Sequence, residues 1–303
     1  MVVTGGAGFI GSNLVGFLCD SDLVKRVVCL DNYSSGEKKN HVADARVRYV
    51  YGNTWDISEL LANEAPEVVF HFAEFSRIVT SFDQINYVWQ SNSLGTQRVL
   101  DYCVAKKAKL VYSGSSSIFG NDEQDANLSP YAFLKKQNIQ LIKNYSTWFG
   151  LQYVITYFFN VFGANDICEG PYATCIATFR KQYLEGRPLT VVSPGTQRRV
   201  WTHVADIVAG VVMTAASGNG DGYKLAGDDD LSIFDVVRLF GQGAAWTVVP
   251  ERRGERFQSV AGASRARTEL GWMPKIRLEN YLRDFVDSVE ETRQSRGAHG
   301  NKK

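Results

Sequence analysis

The chain has 303 residues, 45% hydrophobic and 21% charged, enough to bury a large core in one or two domains. Its 33 Lys and Arg nearly cancel 32 Asp and Glu, leaving a formal charge of +1, which removes any electrostatic case for nucleic acid or an anionic membrane surface as the main partner. No apolar run reaches the roughly 18 residues of a membrane span, and the five scattered cysteines and four histidines show neither a CxxC pair nor metal-ligand spacing, so reduced thiols, a cytoplasmic location and no metal are expected.

In chain order, VVTG (2–5) reads as a strand and SNLVGFLCDS (12–21) as a helix with Leu14, Val15, Phe17 and Leu18 turned inward. The opening MVVTGGAGFIG lacks the basic start and cleavage site of a signal peptide. VVCLD (27–31), VRYVYG (47–52) and EVVFHFA (67–73) follow as strands, then a helical stretch over about 88–105. LVYSG (110–114) and YVITYFFNVFG (153–163) are later strands, with a helix from SPYAFLKK (129–136) between them. Short apolar strands alternating with helices predict a doubly wound parallel sheet covered on both faces. After Gly163 the spacing becomes irregular and richer in Gly, Pro and Arg, while THVADIVAGVVMTAAS (202–217) is helical again. The expected organisation is therefore an α/β sheet domain over 1–163 to which 202–217 returns, and a smaller α/β substrate domain over 164–290. The tail from Glu291 to residue 303 lacks apolar periodicity and is expected to be disordered.

Three features carry chemistry. TGGAGFIGS (4–12) sets Gly5, Gly8 and Gly11 between strand and helix, where bare backbone lets a pyrophosphate approach a helix N-terminus. Asp31 ends the second strand about twenty residues on, placed to accept hydrogen bonds from adenosine ribose hydroxyls and to repel a 2′-phosphate; NAD is favoured over NADP. Tyr131 and Lys135 stand four apart on one helix face. Free tyrosine releases its proton only near pH ~10, and a neighbouring ammonium favours the phenolate that an alcohol-oxidising base requires. A strand-end hydroxyl from SGSSSIFG (113–120) completes a hydride-transfer site.

With these residues in order, the chain resembles the extended short-chain dehydrogenase/reductase family, specifically its NAD-dependent nucleotide-sugar epimerases and dehydratases. The resemblance runs to about Pro274 and rests on TGGAGFIG (4–11), VVFHFA (68–73), Asn92, SSSIFG (115–120), YAFLK (131–135), YFFNVFG (157–163), RRVWTHVAD (198–206), RRGE (252–255) and LGWMP (270–274). It implies a Rossmann-type fold and a catalytic trio of Tyr131, Lys135 and Ser115. It also implies cofactor contacts from Phe9, Ile10, Asn32, Asn53, Thr54, Phe72, Ala73 and Asn92, besides the glycines, Asp31, Tyr131 and Lys135. Ser115, Ser116, Ser117 and Asn160 would meet the sugar or diphosphate, Arg199 and Arg252 would grip the diphosphate, and Glu255 would meet the nucleoside ribose.

Relatives that eliminate water usually carry Asp-Glu where this chain has Ser116 and Ser117, so the resemblance implies 4-epimerisation through a keto-sugar. A dehydratase or a UDP-glucuronate decarboxylase or epimerase of the same fold is the alternative, and a non-catalytic NAD-binding regulator a distant one. A UDP-sugar is the favoured substrate, and helices 131–149 and 88–105 carry apolar faces suited to a homodimer. AEFSR (73–77) departs from the family, whose members place small residues after the alanine. Glu74 and Arg77 there form either a mutual ion pair or surface charges, or else Arg77 meets an anionic sugar substituent.

Overall fold

A computed structural model describes residues 1–21, 24–119, 129–241, 243–254, 257, 261–262 and 264–300. Seven parallel strands form the main sheet: β1 (Val2–Thr4), β2 (Val27–Asp31), β3 (Val47–Tyr51), β4 (Val68–His71), β5 (Lys109–Ser115), β6 (Tyr153–Phe158) and, from much later in the chain, Gly220–Leu225. From one edge to the other the order is Gly220–Leu225, β6, β5, β4, β1, β2, β3. Strand order reverses between β1 and β4, which opens a crevice at their carboxyl ends, the place where such sheets take a ligand. This is the Rossmann-type arrangement expected from the alternating pattern.

Both sheet faces are covered. One core gathers Leu30, Val69, Leu100, Leu110, Ile142 and Ile155; the other holds Val3, Leu14, Val15, Phe70, Val111 and Ile207. The fully apolar burial of β2 up to Asp31 explains why its sequence shows no alternation. Helix α1 (Phe9–Cys19) buries Leu14, Val15 and Leu18 as expected, but Phe17 is exposed, since it falls on the helix face away from the sheet. The helix anticipated over 88–105 is continuous through a π turn, as α3 (Ile85–Trp89), Gln90–Leu94 and α4 (Gly95–Lys106); a short α2 (Ile57–Leu60) precedes them.

Helix α5 (Pro130–Phe149) begins where Ser129 accepts the Ala132 N–H at 3.1 Å and Pro130 pre-sets the first turn; such a cap contributes about 1 kcal/mol. It stops at Gly150, whose φ of 70° suits glycine. This cap places Tyr131 in the first turn and Lys135 one turn later.

A smaller set of elements follows: β7 (Val161–Phe162), α6 (Cys175–Leu184), β8 (Leu189–Val192), β9 (Arg198–His203), α7 (Val204–Ser217), β10 (Gly220–Leu225), β11 (Asp229–Ser232), α8 (Ile233–Arg238), β12 (Trp246–Val249), α9 (Arg265–Leu270) and α10 (Leu278–Gly300). Strands β11, β9 and β7 form one small sheet, β12 and β8 another. Phe162, Phe179, Trp201, Val236, Phe240 and Leu282 make their core.

The return to the main sheet is longer than the sequence suggests. Besides α7, strand β10 pairs with β6, and α9 packs on β10. Gly220 and Gly222, at positive φ, break the β10 register and give GNGDG the look of a loop. The tail from Glu291 also differs from expectation. It continues α10 to Gly300, with Arg293 bound to Glu290 and to the Tyr183 carbonyl. Among the described residues no helix is long and apolar enough to cross a membrane.

Candidate active site

At the carboxyl ends of β1, β4 and β5 lies a cavity of about 680 Å³. Its cofactor half starts at the glycine turn. Gly5 has φ 76°, and a Cβ there would stand 2.9 Å from the Ala73 nitrogen; one on Gly11 would come within 2.0 Å of the Gly5 carbonyl. A side chain at Gly5 would force the turn away from the backbone after β4, and one at Gly11 would push α1 off the turn. No side chain caps α1 at Gly8, so its first-turn N–H groups are left for an anion. Asp31 is buried, its carboxylate accepting the Ala7 and Tyr33 backbone N–H groups at 2.9 and 2.8 Å. Burial raises its pKa, and those two hydrogen bonds oppose the rise. Asn32 donates to the Asn53 side-chain oxygen at 2.9 Å. These features fit a dinucleotide: a backbone anion cradle followed by an acid with spare lone pairs.

Tyr131 (8% exposed) lines the same cavity, as do Lys135, Ser115, Ser116 and Ser117. Ser117 donates its hydroxyl to the Ser115 Oγ at 2.9 Å, and its N–H points to the same oxygen at 3.2 Å. The hydroxyl run is therefore a folded-back turn with Ser115 Oγ held at its centre.

Lys135 is almost fully buried, and its ammonium forms an ion pair with Glu74 while also donating to the Ser113 carbonyl. The Glu74 carboxylate takes further hydrogen bonds from Thr96 (2.9 Å), Asn138 (2.8 Å) and Tyr112 (3.1 Å). Thr96 spends its proton on Glu74, so it accepts from Nε2 of His71 at 3.0 Å. His71 Nδ1 must then accept from Thr4, at 2.8 Å, and Thr4 Oγ1 in turn receives the Phe72 and Ala73 N–H groups. One polarity satisfies the whole chain, and it requires a neutral His71. Burial agrees, pushing the His71 pKa down to about 4.

The expected residues thus largely converge. Gly5, Gly8, Phe9, Ile10, Gly11, Asp31, Asn32, Asn53, Thr54, Phe72, Ala73, Arg77, Asn160, Arg199 and Arg252 line the cavity with Tyr131, Lys135 and the three serines. Asn160, at φ 28°, turns the chain out of β6 and donates its amide to the Val200 carbonyl. Asn92 is different: fully buried, it bonds both backbone groups of Phe75 and so braces the 73–77 loop from behind. Glu255 and Gly120 lie outside the described residues. The mutual Glu74–Arg77 pair does not form either, because Glu74 turns inward to Lys135 and Arg77 outward to the Tyr172 carbonyl.

Sequence reasoning missed three wall residues. Gln197 Oε1, Trp201 Nε1 and Thr80 Oγ1 are buried with no partner among the described residues, and all three residues line the cavity. Trp201 lies within the RRVWTHVAD segment, which marked its neighbourhood but not its indole.

Strand order, glycine turn and tyrosine–lysine helix define a Rossmann-type dinucleotide-dependent enzyme of the short-chain dehydrogenase/reductase kind. The chain belongs to the NAD dependent epimerase/dehydratase family, whose model matches residues 1–226; its cofactor is NAD. It is 29% identical to a UDP-glucose 4-epimerase of Azospirillum brasilense, over 99% of this chain and 94% of that one. It is 28% identical to a dTDP-glucose 4,6-dehydratase of Streptomyces niveus, over 98% and 93%. Among solved structures, a UDP-glucuronic acid 4-epimerase mutant from Bacillus cereus, in complex with UDP-4-deoxy-4-fluoro-glucuronic acid and NAD, superposes with a TM-score of 0.85 at 26% identity, covering 96% of this chain and 99% of that one.

Proposed function

We propose that the protein is a nucleotide-sugar 4-epimerase acting on a UDP-sugar. The observation that carries this reading concerns carboxylates. Among the described residues only Asp31 and Glu74 bring carboxylates to the cavity, and both are committed, Asp31 to two backbone N–H groups and Glu74 to Lys135. Elimination needs an acid to protonate the departing hydroxyl and a base for the neighbouring carbon. Ser116 and Ser117 supply neither.

Gly5, Gly8, Gly11 and the α1 N-terminus would hold the NAD pyrophosphate, and Asp31 the adenosine ribose. NAD, when bound, supplies a hydride acceptor that returns what it takes, so it is regenerated every turnover. The chain's own part is proton traffic and orientation. Tyr131, as its phenolate, takes the proton of the sugar 4-hydroxyl, and the phenol so formed later gives it back. Ser115 Oγ, fixed by Ser117, orients that oxygen, and Glu74 with Ser113 fixes the Lys135 ammonium one helical turn from Tyr131. Arg199 and Arg252 bind the diphosphate with forked guanidinium groups.

Incubating the purified protein with UDP-glucose, UDP-galactose and their N-acetyl and uronate forms tests this. Interconversion of a 4-epimer pair is expected; a stable keto-sugar or released CO₂ would replace the reading with a dehydratase or decarboxylase. We further infer a homodimer, because Ile85, Trp89, Trp148 and Phe149 stand exposed on α3 and α5.

A further inference from the structure

The cavity holds a cation whose charge no carboxylate among the described residues neutralises. Arg77 is half-buried. Its Nε donates to the Tyr172 carbonyl at 2.8 Å, Nη2 donates to the same oxygen, and Nη1 donates to the Ser76 carbonyl at 2.9 Å. All of these acceptors are neutral. No carboxylate among the described residues pairs with it, whereas the comparably buried Arg46, Arg180 and Arg267 each have an aspartate. The acid nearest in sequence, Glu74, is spent on Lys135. Taking a guanidinium out of water without a counter-ion is unfavourable, and burial indeed opposes the Arg77 charge, with the Tyr131 phenol among the groups close enough to act on it.

The carbonyls fix the guanidinium in place. Of its five N–H donors three are used, leaving one on each terminal nitrogen, a pair suited to the two oxygens of a carboxylate. Position narrows the choice of anion. Arg199 and Arg252, proposed for the diphosphate, come from β9 and the loop after β12. Arg77 comes instead from the loop after β4, which also carries the partner of Lys135, and so belongs with Tyr131 at the sugar end. Gly170 and Pro171, just before its carbonyl anchor, line the same cavity.

We propose that Arg77 is an anion subsite selecting nucleotide sugars whose hexose ring bears a carboxylate, that is, hexuronates. This rests on the nucleotide-sugar reading above. It is tested by calorimetric titration of the NAD-loaded protein with UDP, UDP-glucose, UDP-glucuronate and the uncharged methyl ester of UDP-glucuronate. The free acid is expected to bind about 10-fold or more tighter than the neutral sugar and the ester, and Arg77→Gln to bring that ratio toward one, with Arg77→Lys between. Equal affinity of acid and ester for the native protein would overturn the proposal without any mutation. So would a Gln variant that loses all sugars alike, which marks a loop brace, or one that loses UDP itself, which marks a diphosphate contact. If neutral sugars bind and interconvert while the acid gains nothing, only this subsite fails. If no nucleotide sugar binds, the functional reading fails with it.

Discussion

The two halves of the cavity are built on opposite plans. In the cofactor half the buried side chains are tied to one another or to the backbone, and only the α1 N–H groups stay open: Thr4, His71, Thr96, Glu74 and Lys135 form one hydrogen-bonded chain, and Asp31 is tied to the backbone on both oxygens. In the substrate half, among the described residues, Gln197, Trp201 and Thr80 each bury a polar atom without a partner and Arg77 lacks a counter-ion. A cofactor that stays bound through every turnover suits a finished, rigid seat. A substrate that must enter, turn and leave suits a wall whose hydrogen bonds are completed only in its presence. On the proposed function, the unmade bonds are a store of affinity directed at a sugar nucleotide.

The most severe way to probe the contrast is Tyr131→Phe, which removes the hydroxyl proposed to react but no brace of the finished half. Turnover should fall about 10²–10⁴-fold, while NAD, measured by absorbance after denaturation, remains bound. Next comes Glu74→Ala. It strands a buried ammonium in the satisfied half, and urea unfolding should show a loss of about 3–5 kcal/mol, with the Glu74→Ala/Lys135→Met double variant recovering much of it.

Acid should attack the same half third. The His71 pKa lies near 4 in the folded protein, below its ordinary 6.5. Between those values the unfolded chain binds a proton that the native one refuses. Stability is therefore fully present above about pH 6.5 and declines as pH falls toward 4, by up to about 3 kcal/mol; His71→Asn should remove that portion of the slope. The smallest effect belongs to the unfinished half. Trp201→Phe deletes an unpaired donor and keeps most of the ring, so the unliganded protein should be unchanged or more stable, by at most about 1 kcal/mol, when Tm is compared. A large loss there would mean that the indole is already satisfied, and the contrast between the halves would collapse.

The finished half was also the legible one. Glycine spacing, Asp31 and the Tyr131–Lys135 pair are local signals, set by backbone geometry within a few residues, and they came out where the pattern placed them. What escaped depends on contacts between distant segments. Glu74 and Arg77 look like natural partners three residues apart, yet Lys135, 61 residues away, claims the acid, and Tyr172 the guanidinium. Asn92 matches a family position but faces the back of the 73–77 loop. The orphaned atoms of Gln197 and Trp201 have no sequence signature, since nothing in a strand pattern tells which side chain goes unanswered. The helical run past Glu291 was hidden because its sequence carries no apolar stripe; among the described residues Arg293 docks it on Tyr183, by a hydrogen bond to the carbonyl and a stack over the ring.

Strand β10 carries a consequence for dissection of the molecule. The outermost ribbon beside β6 is supplied by residues 220–225, after the polypeptide has already left to build β7 through β9. An excised fragment ending at Gly163 would bare the flank of β6, including Val154 and Tyr157, and invite edge-to-edge aggregation. The nucleotide-binding body cannot be cut out as a contiguous piece, and its synthesis on the ribosome is incomplete until the chain has passed Leu225.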